Sequence, residues 1–419
     1  MESKAPKVSY SHLPTELVFD ILIRLPVKSL LRFRCVSKSW NSLISSPEFI
    51  KTHLKETSNA RNTAHRKLIF SSFKGVPDLD YLTECNLDSV LYSPTIEAIN
   101  MVTHMVASSM TEATKIQPPT EKSIEILGAC NGLVCIAMQD IIFWPFASDS
   151  TPDRRLFLWN PSIRKYWKLP HFGNSGVAAY GFGYDELHDD YKLIVFFRAS
   201  PFENAEGQVV EIYSQRTNSW KRNEYSINYP IWQLKGGCFV GGKLHWNANF
   251  SHEEEDRYCP RKEVGKIVSF DLAHETCGVI EFPENYKGKS SGKGWSIGVL
   301  GEGCLAFLWI QIPEVDVWIM TDYGATQSWT KMCSIRYPAG LECRLGFDID
   351  VQPVFLTKRG ELLLKLESSL VLFNPEDGTY KNLNMRYKLR YLPGFLKVDE
   401  YDESLVLLDA HDGLNMRLS

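Results

Sequence analysis

The sequence predicts a multidomain α + all-β protein, a small N-terminal helical module followed by a β-propeller of about six blades. Three observations carry this prediction. Apolar residues near the N-terminus fall at helical spacing between prolines. A polar stretch then separates them from the rest of the chain. Beyond it, one strand-turn-strand plan recurs at intervals of 50 to 57 residues.

The helical elements come first. In "SHLPTELVFDILIRLP", Pro14 suits a first helical position, where a missing donor costs nothing. Leu17, Ile21, Leu22 and Leu25 form a helical stripe, and Pro26 ends the helix. Val27, Leu30 and Leu31 form a second short stripe. Ser37 is placed to cap a third helix, in which Trp40, Leu43 and Ile44 share a face. Pro47 opens a fourth helix, "PEFIKTHLKE", with Ser45 and Glu48 at capping-box spacing. "TSNARNTAHR" reads as a linker. The expected division is a disordered 1–12, helices over 13–50, helix and linker over 51–67, and a propeller over 68–419.

A module this short rarely folds alone, and it holds more apolar side chains than short helices can bury among themselves. The excess points to an exposed patch that docks a partner. The simpler alternative is that the helices pack on the rest of the same chain; the polar linker weighs against it.

The repeats are "LFLWNPSIRKYWKLP", "VEIYSQRTNSWKR", "IVSFDLAHETCGVIEFP", "VDVWIMTDYGATQSWTKM" and "LVLFNPEDGTYKNL". Their first anchors are Trp159, Tyr213, Phe270, Met320 and Phe373; their second are Trp167, Trp220, Val279, Trp329 and Tyr380. Asn160-Pro161 and Asp377-Gly378 supply turn chemistry, and the glycine pairs in "GGCFVGGKLHW" fit tight turns around a strand. One hairpin cannot bury both faces, but kelch-like blades set radially cover one another. The aromatics then read as interblade core rather than a ligand cage. "RKLIFSSF" and "DYLTECNLDS" fit an earlier blade; the stretch 95–122 reads as an insertion or loop. "LVCIAMQDIIFWPFA" reads as two buried strands broken at Gln139 and Asp140.

Composition narrows the function. Of 419 residues, 44% are hydrophobic and 23% charged, an ordinary soluble balance. The net charge of −4 points to no polyanionic partner. From Arg24 to Lys67, however, ten Lys and Arg face only Glu48 and Glu56. Such a region can contact nucleic acid. These cations interleave with apolar residues in no contiguous run, so solvated helix faces explain them better. "MESKAPKVSYS" has no apolar core for a signal peptide, and no run of about eighteen apolar residues offers a membrane span. Ten scattered cysteines without a CxxC pair fit reduced thiols in the cytoplasm or nucleus, which makes the sequon Asn249-Phe250-Ser251 a chance match.

Catalytic and metal patterns are weak. Gly288–Gly292 fits GxSxG, but its Lys- and Gly-rich flanks lack the strand and helix of a nucleophile elbow. "YDELHDDY" gathers Asp185, Glu186, His188, Asp189 and Asp190; it lacks a defined calcium-loop spacing and reads as a charged turn. Cys130 and Cys135 read as core. No GxxxxGK[ST] or GxGxxG stretch is present, so no cofactor is expected.

"LPTELVFDILIRLPVKSLLRFRCVSKSWNSLI" resembles an F-box, matching at both Leu-Pro pairs, Leu30-Leu31-Arg32 and Cys35 through Trp40. The resemblance implies a Skp-family adaptor, and through it a cullin, bound by Leu13, Pro14, Leu17, Ile21, Leu22, Leu25, Pro26, Leu30, Leu31, Cys35, Val36 and Trp40. From Ala129 to Asn384, "CNGLVCI", "LWNPSIRKYWKLP", "YGFGYDELHDDYKLIVF", "WIMTDYGATQSW" and "LVLFNPEDGTY" resemble the F-box-associated domain of plant F-box proteins. That group includes receptors for immune regulators and pollen proteins of self-incompatibility. The implied role is a non-catalytic receptor of a ubiquitin ligase whose propeller recruits a protein for degradation. The alternatives are a ligase-independent interaction scaffold, or a nucleic-acid-binding protein using the basic N-terminal region.

Overall fold

The computed structural model describes residues 13–58, 63–73, 81–92, 99–100, 122–140, 154–173, 177–197, 208–225, 236–250, 264–287, 289, 294–311, 313–336, 351–366, 369–383 and 395–408. Four helices open it: α1 (Thr15–Leu22), α2 (Val27–Phe33), α3 (Lys38–Ile44) and α4 (Pro47–Thr57). Pro14 and Pro26 stand one residue outside α1 and α2, as N-caps in extended backbone. Ser37 caps α3 by accepting from the Trp40 amide at 3.1 Å. On α4 the cap is Ser46, not Ser45: its Oγ accepts from the Phe49 amide at 3.3 Å. Pro47 fixes the first helical position, and Ser45 already closes α3.

Six antiparallel four-stranded sheets follow. Blade 1 contains β1 (Arg66–Phe73), β2 (Tyr81–Asn86) and β3 (Ile99–Asn100), with a short α5 (Leu87–Tyr92) between the last two. Blade 2 is β4 (Lys122–Cys130), β5 (Leu133–Asp140), β6 (Arg154–Asn160) and β7 (Lys165–Lys168). Blade 3 is β8 (Val177–Asp185), β9 (Asp190–Phe197), β10 (Gln208–Ser214) and β11 (Ser219–Tyr225). Blade 4 is β12 (Cys238–Val240), β13 (Lys243–Phe250), β14 (Val264–Asp271) and β15 (Thr276–Ile280). Blade 5 is β16 (Trp295–Leu300), β17 (Cys304–Gln311), β18 (Glu314–Met320) and β19 (Trp329–Arg336). Blade 6 is β20 (Val351–Leu356), β21 (Leu362–Leu366), β22 (Ser369–Asn374) and β23 (Thr379–Asn382). The C-terminal strand β24 (Phe395–Asp402) returns to pair with β1 from Arg66↔Asp402 to Phe73↔Phe395. It becomes the inner strand of blade 1. The inner strands β24, β4, β8, β12, β16 and β20 touch in a closed ring. The fold is therefore a six-bladed propeller closed by its last strand, which protects every inner edge.

The repeats fall where the pattern placed them. Trp159, Tyr213, Phe270, Met320 and Phe373 all end the third strand of a blade and are buried. Their cross-strand partners are Tyr166, Trp220, Cys277, Trp329 and Tyr380. In blades 2 and 4 the second anchors Trp167 and Val279 are thus out of register; Trp167 pairs with Leu158, and Val279 pairs with Val268 and is exposed. A shared turn sets an offset of seven between the true partners in blades 2, 3, 4 and 6, against nine in blade 5. Asn160, Ser214, Asp271 and Asn374 each accept a backbone amide inside the turn, and Arg164, Asn218, Glu275 and Gly378 then take positive φ. The first hairpins of blades 2 and 4 turn on Asn131-Gly132 and Gly241-Gly242. Both central residues lie at positive φ, the type I′ geometry that matches strand twist.

"RKLIFSSF" and "YLTECN" do form an earlier blade. Of 95–122, Ile99 and Asn100 pair with Glu84 and Thr83, and Lys122 opens β4. The rest lies outside the described residues, as do the second half of "LVCIAMQDIIFWPFA" and Gly288, Ser290 and Gly292 of the GxSxG match.

Candidate functional site: two ends of the propeller

Each blade has two ends. In blades 2 to 6, one carries the turns joining the first strand to the second and the third to the fourth. The helical module packs there. Ile50 and Leu54 of α4 pack against the core between blades 2 and 3. Leu405, just past β24, joins Leu22, Ile23, Val27, Leu30, Ile44 and Phe49 in the core of the module, with Ile163 of blade 2 against it. The carboxamide of buried Asn160 donates to the Ser404 carbonyl at 3.1 Å and the Val406 carbonyl at 3.0 Å. Lys51 of α4 meets Asp189 of blade 3 at 2.7 Å. The helices therefore do dock on the rest of the chain, despite the polar linker.

This docking sorts the predicted contact residues. Leu13, Pro14, Leu17, Ile21, Pro26, Cys35 and Val36 are exposed. Leu25, Leu31 and Trp40 are half-buried. Leu22 and Leu30 are corrections: at 1% and 0% exposure they belong to the module's core and offer no surface to an adaptor. Ile21 and Leu22 are neighbours on α1, and one helical step of about 100° puts one outside and the other inside. Leu13, Leu17, Ile21 and Val36, 48 to 62% exposed, are the large apolar side chains that the propeller leaves uncovered on the module. Trp40 rests edge-to-face on Phe33, with ring centroids 5.5 Å apart, so it serves the fold as well as any surface. Lys28, Arg32 and Lys38 are exposed and Arg34 is half-buried.

The charged turn "YDELHDDY" neutralises itself. Burial opposes ionisation of Asp185, but Lys192 at 3.0 Å and His188 at 2.7 Å outweigh it and hold the carboxyl below its usual range. Lys51, aided by the Tyr184 hydroxyl, does the same for Asp189. Cys130 and Cys135 are core residues, and burial pushes both thiols far above their ordinary range. Among the described residues, no group of three or more His, Cys, Asp or Glu is placed to hold a metal, and no helix is long and apolar enough to cross a membrane.

The inner strands enclose an axial channel of about 760 Å³. Its charged groups, with Asp399 between them, fall in two sets along the axis. Toward the helical module, Arg66 lies 3.6 Å from Glu400 and 3.2 Å from Asp402. Burial pushes the Glu400 carboxyl up to about 7, against the pull of Arg66. The half remote from the module holds Lys397, Lys365 and Glu125, with Arg154 behind Glu125. Neither the docking surface between module and propeller nor this channel has a periodic signature in the sequence. Both join residues more than 130 positions apart.

Comparison with known proteins places these parts. Residues 10–52 match the F-box domain model, and residues 82–406 match the model of the F-box associated beta propeller domain. An F-box/kelch-repeat protein of Arabidopsis thaliana is 27% identical over 393 residues, covering 90% of this chain and 92% of that protein. The F-box protein CPR1 of the same plant is 29% identical over 410 residues, covering 89% and 84%. Among solved structures, the propeller domain of the Trilobed protease from Pyrococcus furiosus overlaps 77% of this chain and 82% of its own, at 12% identity and a TM-score of 0.33, a likeness too loose to carry an argument. The chain belongs to the F-box proteins that carry an F-box-associated β-propeller.

Proposed function

We propose that this protein is the substrate-receptor subunit of a Skp–cullin–F-box ubiquitin ligase. Its family supports a receptor role in general. The observation that carries the finer reading is the patch of Leu13, Leu17, Ile21 and Val36, held rigidly on a module whose other face is used up against the propeller. That patch takes the Skp-family adaptor, and through it the cullin. The propeller end remote from the helices takes the protein to be degraded. The chain itself is non-catalytic. It holds a substrate lysine near a ubiquitin-charged enzyme and so raises the local concentration of the reactants. Its thiols are free among the described residues, which suits the cytoplasm or nucleus.

The test is affinity purification with the proteasome blocked, comparing the intact chain with Leu17→Ser/Ile21→Ser. Removing the helices would strip the cover from Ile163 and the core of blades 2 and 3, so surface substitutions are the cleaner control. Adaptor and cullin should be lost and substrate proteins retained. Undiminished adaptor capture by the double variant overturns the reading. Capture that falls steeply with salt would instead favour nucleic acid on the basic module.

A further inference from the structure

The remote half of the channel contains a group the fold does not satisfy. Tyr180 on β8 is 1% exposed, and its hydroxyl meets no hydrogen-bonding partner among the described residues. A buried hydroxyl without a partner is costly, and the fold tolerates few of them. Two cations flank the same ring. The Lys397 ammonium lies 5.3 Å and the Arg154 guanidinium carbon 5.4 Å from its centroid. Arg154 is paired to Glu125 through one terminal nitrogen, while its Nε is buried without a partner. Lys397 donates to the Ile126 carbonyl, which uses one of its three protons. Gly236 makes room for it: a Cβ there would stand 2.7 Å from Nζ and 3.1 Å from the Leu127 carbonyl.

These groups form a set of donors with positive charge in excess. Among the described residues, Arg154 is paired to Glu125 and Lys397 faces Asp399; Lys365, itself partnered, is also on the wall. Burial raises the pKa of Asp399, two residues along β24, despite Lys397. A cationic ligand would meet like charge here, and a neutral apolar one would leave the Tyr180 hydroxyl unsatisfied. An oxyanion takes its donors from Lys397 and the Tyr180 hydroxyl on the channel wall, with the Arg154 guanidinium adding charge behind them. We propose that the channel mouth remote from the helices is an oxyanion site for a carboxylate or phosphate, built from Lys397, Tyr180 and Arg154. The inference does not rest on the receptor reading; an acidic side chain of a recruited protein and a free anion share this chemistry.

The test uses the full chain, melted in rising inorganic phosphate at constant ionic strength. In parallel it is melted with a hexaglutamate or a hexalysine peptide. Phosphate should raise the melting temperature, as any ligand of the folded state does. Tyr180→Phe is the discriminating variant. Losing an unpartnered hydroxyl should leave the ligand-free melting temperature unchanged or higher, yet weaken the anion about tenfold, the usual loss for one hydrogen bond to a charged group. Lys397→Gln should weaken it more than tenfold, Gly236→Ala should weaken it by crowding Nζ, and Lys397→Arg should retain it. A response to phosphate and hexaglutamate supports a protein's acidic side chain as the occupant; a response to phosphate alone supports a free anion. No response to either anion overturns the site, as does an equal response to hexalysine or full affinity in Tyr180→Phe.

Discussion

The helical module and the propeller use the same kinds of side chain to opposite ends. In blade 3, every residue of β9 from Asp190 to Phe197 is buried, because a neighbouring blade covers each face of the sheet. In the module, Leu22 is buried while Leu17 and Ile21, on the same short helix, are exposed, and Leu30 of α2 is buried as well. A closed ring has no spare surface, whereas short helices on one end of it keep one face free. The difference teaches that apolar excess marks a docking surface only where the architecture lacks a further layer to cover it. Four experiments strain this contrast, in falling order of their effect on the fold.

Phe307 strains it most. It is fully buried between blades 4 and 5 against Phe282 at 4.7 Å and Trp295 at 5.9 Å. Phe307→Ala should cost about 3–5 kcal/mol in denaturant unfolding, as buried Phe truncations do. A loss below about 1 kcal/mol would show that this cluster does not behave as core.

Acid comes next. His245 of blade 4 is fully buried, with Nδ1 3.2 Å from the Cys238 carbonyl and Nε2 2.7 Å from the Tyr323 hydroxyl. A carbonyl can only accept, so Nδ1 donates and Nε2 accepts from Tyr323. Burial lowers its pKa to about 4. The unfolded chain, titrating near 6.5, therefore takes the proton first. The contribution of His245 to stability is complete above about pH 6.5 and falls by about 3 kcal/mol as pH drops to 4, opposite in sign to the raised Glu400 carboxyl, so it is read as the difference between the intact chain and a His245 variant. His245→Gln should flatten that limb of the stability profile; an unchanged slope would reassign the titration.

The junction is the third. Asn160→Ala leaves the Ser404 and Val406 carbonyls without their donor, at a cost of about 2 kcal/mol. Its distinctive readout is protease access to Glu403–Leu408, which should rise before the blades unfold. Blades and tail opening together would show that the tail is part of the propeller's cooperative unit rather than a strap for the helices.

These cases also show what the chain made legible. The helices and the blades were readable because each rests on local periodicity and turn chemistry. The third-strand anchors were readable because an Asx turn of fixed length follows most of them. Tyr166 and Cys277 were missed because the neighbouring Trp167 and the later Val279 looked like better core residues, although the offset of seven set by Tyr213 and Trp220 points to the true partners. The exposed apolar patch of the module was readable as a set, but Leu22 and Leu30 were not separable from it. What buries them is a cluster of the module's own Val27, Ile44 and Phe49 completed by Leu405, one apolar residue beyond the last strand that closure of the ring brings into place. Lys397, Tyr180 and Arg154 meet across three blades and leave no local trace.

The smallest effect on the fold belongs to Leu17. Its side chain is 48% exposed, and α1 is anchored by Leu22 on its other side and by Phe19, whose ring packs edge-to-face on Phe49 at 5.3 Å. Leu17→Ala should therefore change unfolding free energy by no more than about 0.5 kcal/mol, the range of ordinary surface substitutions. The same truncation should weaken adaptor binding by about 2 kcal/mol, since a large apolar side chain at the centre of an interface is where binding energy concentrates. Trp40→Ala is the poorer probe, because removing the ring also strips Phe33 of its partner and mixes a folding cost into the binding loss. Leu30→Ala supplies the opposite control: a cost of about 2–5 kcal/mol to the module, with adaptor binding lost only as the helices unfold. If Leu17→Ala destabilises the chain as much as Leu30→Ala does, the patch is core and the contrast between module and propeller disappears. If it leaves both stability and adaptor affinity intact, the uncovered face of α1 is not where the adaptor binds.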